Sequence, residues 1–297
     1  MFDRPRARAR LARALAALPS RPGADFLLTR ATEELIERLS LVKRDFKLAL
    51  DLATPGPHAA RALRTSANVG FVARAAPVLT VADGRATFVA DEERLPVGDG
   101  CCDLIVSLLA LQSVNDLPGA LIQARRALRP DGLLMACVLA GDSLNELRQS
   151  LTIAESEIRS GASPRIAPFA DVRALGALLQ RAGFALPVVD LDRALVRYDN
   201  MIALMRDLRA MGATNALNAR SRTPLRRDVL ARAGQVYAER FADADGRLRA
   251  TFDMVWLSGW APHASQQTPL KPGSARMRLE DALKAAGGGR TLSLIHI

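Results

Sequence analysis

The sequence predicts an α/β fold, a mostly parallel sheet with helices on both faces. Two near-continuous apolar runs, Asp103–Leu111 and Leu133–Leu139, read as strands covered on both sides, as parallel sheets require. Between them Leu117, Ala120, Leu121, Ala124 and Leu128 recur at helical spacing, so the stretch forms a strand–helix–strand unit. With 297 residues, 49% of them hydrophobic, the chain can build one large domain, or one domain with an insert.

Residues 1–23 form a basic arm. Arg4, Arg6, Arg8, Arg10 and Arg13 alternate with Ala and Leu, which suits a helix that touches a membrane surface or a partner. A transit peptide is a competing reading, and a solvated arm dispensable for folding is the expectation. The main domain spans residues 24–262. It opens with an amphipathic helix over Ala24–Leu39 that places Phe26, Leu27, Leu35, Ile36 and Leu39 on one side. Phe46–Leu52 is the first strand and carries Asp51 near its end. The turn Ala53-Thr54-Pro55-Gly56-Pro57 follows, and Pro57 is well placed to start a helix over His58–Leu63. Val69–Ala73 is the second strand. Ala86–Ala90 is the third and closes on Asp91-Glu92. After the fourth strand, Asn115-Asp116 offers a helix cap with Pro118 in the first turn, and Arg129-Pro130-Asp131-Gly132 stops that helix.

Ser143–Ser160 reads as a polar helix with Glu146, Arg148 and Glu155–Arg159 on a solvated face. Asp171–Arg181 is a helix ended by Ala182-Gly183. Leu186–Val196 supplies a strand or two. A helical insert, about residues 200–250, contains helices over Asn200–Met211 and Pro224–Phe241. Its stripe of Met201, Leu204, Met205 and Leu208 reads as core. Thr251–Trp260 is the last strand, with Phe252, Met254, Trp256 and Ser258 on one face and Val255 and Leu257 on the other. Residues 263–297 read as a loose tail, and Thr291–Ile297 resembles translated read-through rather than native sequence.

Bulk chemistry narrows the function. Net charge is +10 and the isoelectric point about 10.6, which alone describes a solvated basic surface. Aromatic residues make up only 4%, so base-stacking platforms and nucleic-acid partners are not expected. No apolar run reaches the roughly 18–20 residues that span a bilayer. Cys101, Cys102 and Cys137 show no zinc or disulfide spacing, and His58, His263 and His296 are scattered, so no metal site is expected. A reducing, cytoplasmic setting follows.

An acid-ended third strand, the Asp103-Leu104-Ile105-Val106 strand, the Asn115-Asp116-Leu117-Pro118 helix start and the Pro130-Asp131-Gly132 turn together resemble class I S-adenosylmethionine-dependent methyltransferases. Further stretches are similar to the family of the mitochondrial respiratory complex I assembly factor that hydroxylates an arginine, and its bacterial relatives. They are Phe2-Asp3-Arg4, Leu48–Leu52, Asp91–Pro96, Gly141–Arg148, Ser163–Phe169, Arg181–Phe184 and Met211–Asn215. The resemblance runs from Phe2 to about Ser274 and leaves little room for a cleaved transit peptide.

It implies a Rossmann-like methyltransferase sheet of seven strands, mostly parallel with the last antiparallel, and a helical insert over the cleft. It implies a cofactor set of Asp51, Thr54, Gly56, Asp91, Glu92 and Leu108, with Asp91 meeting the adenine amino group. The cofactor would be S-adenosylmethionine, bound weakly or lost, because three features depart from the family. The glycine-rich first motif has become Ala53–Pro57, with two prolines that cannot donate an N–H. The acid after the second strand is missing from Ala73-Arg74-Ala75-Ala76. A His-Trp pair after the fourth strand is replaced by Gln112-Ser113. No general base or nucleophile is nominated. The implied partner is a protein, a complex I subunit, met in the cytoplasm or peripherally at the inner membrane. Two readings stay open: a methyltransferase-like enzyme, and a non-catalytic assembly factor on a degenerate scaffold.

Overall fold

The computed structural model describes residues 1–80, 86–159 and 161–267. Seven strands are ordered β3-β2-β1-β4-β5-β7-β6. They are β1 (Phe46–Leu52), β2 (Val69–Ala76), β3 (Thr87–Val89), β4 (Cys102–Leu108), β5 (Leu128–Ala140), β6 (Ala185–Tyr198) and β7 (Leu248–Trp260). Strands β1 to β5 pair in parallel, whereas β7 runs antiparallel between β5 and β6. Eight helices flank them among the described residues: α1 (Arg4–Ala17), α2 (Phe26–Ser40), α3 (His58–Thr65), α4 (Leu117–Ala127), α5 (Asn145–Arg159), α6 (Val172–Arg181), α7 (Met201–Ala210) and α8 (Arg227–Phe241). None is long and apolar enough to cross a membrane.

The period-two alternation of side chains divides the core between the two faces of the sheet. On one face Leu104, Val106 and Leu108 of β4, Met135 and Cys137 of β5, and Phe252, Met254 and Trp256 of β7 pack with α2, α5, α7 and α8. On the other, Ile105, Leu134, Ala136, Val138, Val255 and Leu257 meet Leu121 and Ala124 of α4 and Leu175 and Leu179 of α6. Both faces are covered, which explains the unbroken apolar runs of β4 and β5. Cys137 is fully buried there, and burial pushes its thiol pKa up.

Three expectations change. The fifth strand starts at Leu128 rather than Leu133, because the Pro130-Asp131-Gly132 turn lies within its span and puts Asp131 at φ +64°. Glu146 and Glu155 of α5 are buried rather than solvated. The Thr251 N–H donates to Glu146 at 3.2 Å, and Arg165 pairs with Glu155.

The third change concerns the N-terminal segment, which is docked. Phe2 is buried and bridges Leu217. The Phe2 N–H donates to Asn115 Oδ1 at 2.6 Å, and Asn115 Nδ2 returns a bond to the Phe2 carbonyl at 3.1 Å. Asp3 caps α1 through the Arg6 N–H at 3.1 Å and pairs with Arg220. Gly212, at φ +75°, lets the end of α7 approach α1: a Cβ there would lie 3.2 Å from Leu11 Cα. The expected loose tail is described only over residues 263–267; residues 291–297 lie outside the described residues.

Deleting residues 1–18 is therefore expected to lower the thermal midpoint by on the order of 5 °C or more, since it removes a buried Phe and its hydrogen bonds. An unchanged midpoint in differential scanning calorimetry would show that α1 adds nothing to the fold. Leu104→Asp and Leu134→Asp, each placing a charge where the side chain is fully enclosed, should abolish soluble expression at a cost of several kcal/mol.

Candidate functional site

In open α/β sheets, ligands sit beyond the carboxyl ends of the strands, where the strand order reverses. Here that point lies between β1 and β4. Asp51 of β1, Thr54 and Gly56 in the following turn, Asp91 and Glu92 after β3, and Leu108 at the end of β4 all lie along this rim.

The first cluster is knotted upon itself. Asp51 and Arg74 are both buried and pair with Nε to Oδ2 at 3.3 Å. Arg74 Nη2 also donates to the Thr54 carbonyl at 2.7 Å. The Leu108 N–H donates to Thr54 Oγ1 at 3.1 Å, so both of these residues serve the loop. Ala53 holds φ +62°, the left-handed conformation that glycine adopts more cheaply. Burial lifts the Asp51 carboxyl to about 6, against the pull of Arg74.

The second cluster joins β3 to α1. Arg4 Nη2 reaches Asp91 Oδ1 at 3.1 Å and pairs with Glu92, while its Nη1 donates to the Ser113 carbonyl at 3.2 Å. Arg8 pairs with the other Asp91 oxygen. Burial pushes the Asp91 carboxyl up, but the Glu93 N–H, Arg8 and Arg4 together hold it below the ordinary carboxylate value. The more enclosed Glu92 is raised, because burial outweighs Arg4.

Between the clusters and the helices lies an apolar cavity of about 90 Å³. Leu11 and Leu15 of α1, Leu28 of α2, Leu109, Leu139 and Met211 line it. Its polar groups are Asp25, His58 and Gln112. His58 Nε2 lies 2.7 Å from Asp25 Oδ2. His58 Nδ1 is buried without a partner. Gly56 leaves that atom room, since a Cβ at position 56 would come within 3.3 Å of it. With Nε2 donating to Asp25, Nδ1 is left as an acceptor, enclosed beside Gly56.

Sequence reasoning missed Arg4, Arg8, Asp25 and His58 as parts of this site. The Phe2-Asp3-Arg4 motif signalled Arg4 without its role, and Arg74 was visible only as a missing acid. Asp25 and His58 stand 33 positions apart, so nothing local links them. Asp142 and Glu146 tie the end of β5 to β7: the Asp142 N–H donates to buried Asp253 at 2.9 Å, and Glu146 accepts from Thr251.

Residues 50–136 match the family described as Methyltransferase domain. The mitochondrial arginine-hydroxylase NDUFAF5 of Danio rerio is 36% identical over 266 residues, covering 88% of this chain and 83% of the relative. The human protein of the same name is 38% identical over 257 residues, covering 84% and 74%. The chain belongs to the NDUFAF5 family. A malonyl-[acyl-carrier protein] O-methyltransferase of Methylovorus is also similar, at 34% identity over 273 residues, covering 86% of this chain and 90% of that protein. The YcgJ protein of Bacillus subtilis shares the fold, with a TM-score of 0.53 at 14% identity over 79% of this chain and 99% of that one.

The NDUFAF5 family's fold raises the question of a nucleoside-bearing methyl donor, and the residues here fit it poorly. Pro55 and Pro57 offer no N–H, and the Arg74 guanidinium already holds the Thr54 carbonyl of the loop. No acid ends β2, and Asp91 already carries two guanidiniums. Only the loop's left-handed backbone and the position of Asp91 suit the donor.

The raised carboxyl of Asp51 gives a pH signature. Its folded-state pKa of about 6 exceeds the unfolded value of about 3.9. Its contribution is fully present below the unfolded value and is lost as pH rises through about 6. Urea unfolding should show the stability of the natural chain, relative to Asp51→Asn, falling between pH 4 and pH 6.5 by on the order of 2 kcal/mol. A flat difference would mean that the carboxyl stays ionised beside Arg74.

Proposed function

We propose that this protein is a class I methyltransferase-like enzyme that modifies a protein subunit during assembly of respiratory complex I. It acts in the cytoplasm, peripherally at the inner membrane. The cavity receives the aliphatic stem of the acceptor side chain, with the Asp25–His58 pair on its wall to orient it. One observation carries this reading. Three stretches that resemble the family converge on the docking of α1 beside the cavity. Arg4 ties α1 to the acids of the Asp91–Pro96 stretch, Gly212 admits α1 against α7, and Arg10 of α1 donates to the Asn215 carbonyl. S-adenosylmethionine, the donor proper to this fold, binds weakly, because the acids at two strand ends are neutralised by the chain's own arginines.

Absence of the ribose-side acid costs about 1.5–3 kcal/mol, about ten- to a hundredfold in affinity. Calorimetric titration should give a dissociation constant for S-adenosylmethionine well above the micromolar range. Asp91→Ala should weaken binding further, and Pro55→Gly combined with Pro57→Gly should strengthen it. Tight binding that ignores Asp91→Ala would overturn this view of the cleft. No binding even to the double-glycine chain would favour a non-catalytic assembly factor. With the subunit co-expressed, His58→Asn should lower its modified fraction by about a hundredfold through lost positioning, in a variant whose circular dichroism matches the natural chain. Full modification would remove His58 from the mechanism.

A further inference from the structure

Helix α1 carries arginines on two sides, and only one side is explained by the cleft. Arg4 and Arg8 face Asp91 and Glu92. The other side turns Arg6, Arg10 and Arg13 into a concavity of about 480 Å³, which Arg21, Arg209 and Thr214 complete. No carboxylate lines it. None of these five arginines makes an ion pair among the described residues, whereas Asp and Glu partners meet Arg4, Arg8, Arg30, Arg38 and Arg44 nearby in the sequence.

Arg10 is fixed at the base of the concavity. It is half-buried, and its Nη1 donates to the Thr214 carbonyl at 2.8 Å and also to the Asn215 carbonyl. Burial and repulsion from Arg6, Arg220 and Arg13 lower its pKa, which registers the crowding of like charge. Arg6, Arg10 and Arg13 stand four and three positions apart on one helix, a spacing at which like charges destabilise. The α1 segment has no acid in its first turn to offset them. A cost of this kind is recovered when an anion binds. Guanidiniums match phosphate oxygens in paired hydrogen bonds. A concave wall gathers several of them around a compact polyanion better than a flat surface would.

We propose that this concavity binds the phosphate group of a ligand through Arg6, Arg10, Arg13 and Arg209, with Arg21 and Thr214 at its rim. The site lies on the face of α1 that does not meet the cleft acids, and it stands whether or not S-adenosylmethionine binds.

The test uses the full chain and three probes at fixed ionic strength: pyrophosphate, phosphatidylglycerol vesicles against phosphatidylcholine vesicles, and a glutamate oligomer of matched charge. Arg6→Ala combined with Arg13→Ala is compared with Arg173→Ala combined with Arg181→Ala, which removes equal charge elsewhere. Saturable pyrophosphate binding that falls at least tenfold in the first variant only would support the site with a soluble phosphate ligand. Selective vesicle binding with the same variant pattern, without pyrophosphate binding, would support it with a lipid headgroup as source. Equal losses in both variants, no binding of either phosphate probe, or tighter binding of the glutamate oligomer would overturn it. Circular dichroism of the first variant should match the natural chain. If α1 unfolds, Arg209→Ala, which lies on α7, provides the same comparison.

Discussion

The guanidinium of Arg4 holds the cleft together. It bonds at once to Asp91, to buried Glu92 and to the carbonyl of Ser113, and so spans the segments that leave β3 and β4. Leaving Glu92 enclosed without that partner would cost several kcal/mol, because the charge has few other donors. Helix α1 is therefore obliged to lie across the rim. The apolar cavity follows from this, for Leu11 and Leu15 can form its wall only while α1 is in place. A helix whose charges serve the cleft on one side and remain uncompensated on the other has an electrostatic division of labour.

Arg74 acts similarly at the other strand end. The site of a ribose-binding acid has no carboxylate, and a buried arginine holds Asp51 and the loop carbonyl of Thr54 instead. The loop keeps its shape with Gly56 as its one glycine and Ala53 accepting a left-handed backbone. What the chain has lost in ligand donors it has partly converted into internal bonds. The scaffold stays rigid while the nucleoside contacts thin out. The Asp25–His58 pair on the cavity wall is what remains for the acceptor side of the chemistry.

The sheet was legible in the sequence because burial on both faces writes itself as unbroken apolar runs, and caps such as Asp116 and Asp171 mark helix starts locally. Asp51, Asp91 and Glu92 were placed at strand ends for the same reason. Three things were not legible. A basic, alanine-rich arm looks solvated until its partners, 87 and 88 residues away, are known. Glu146 and Glu155 look like surface charges because their burial depends on Thr251 and Arg165 from other elements. The Asp25–His58 pair joins the start of one helix to the start of the next, and no periodicity encodes it.

The dependence of the cleft on Arg4 is open to one direct measurement, a double-mutant cycle on unfolding free energy with Arg4→Ala and Glu92→Gln. If the guanidinium and carboxylate form one interaction that docks α1, the double variant should lose less than the sum of the singles, by about 1 kcal/mol or more. Losses that add to within roughly 0.5 kcal/mol would show that α1 lies on the cleft for other reasons.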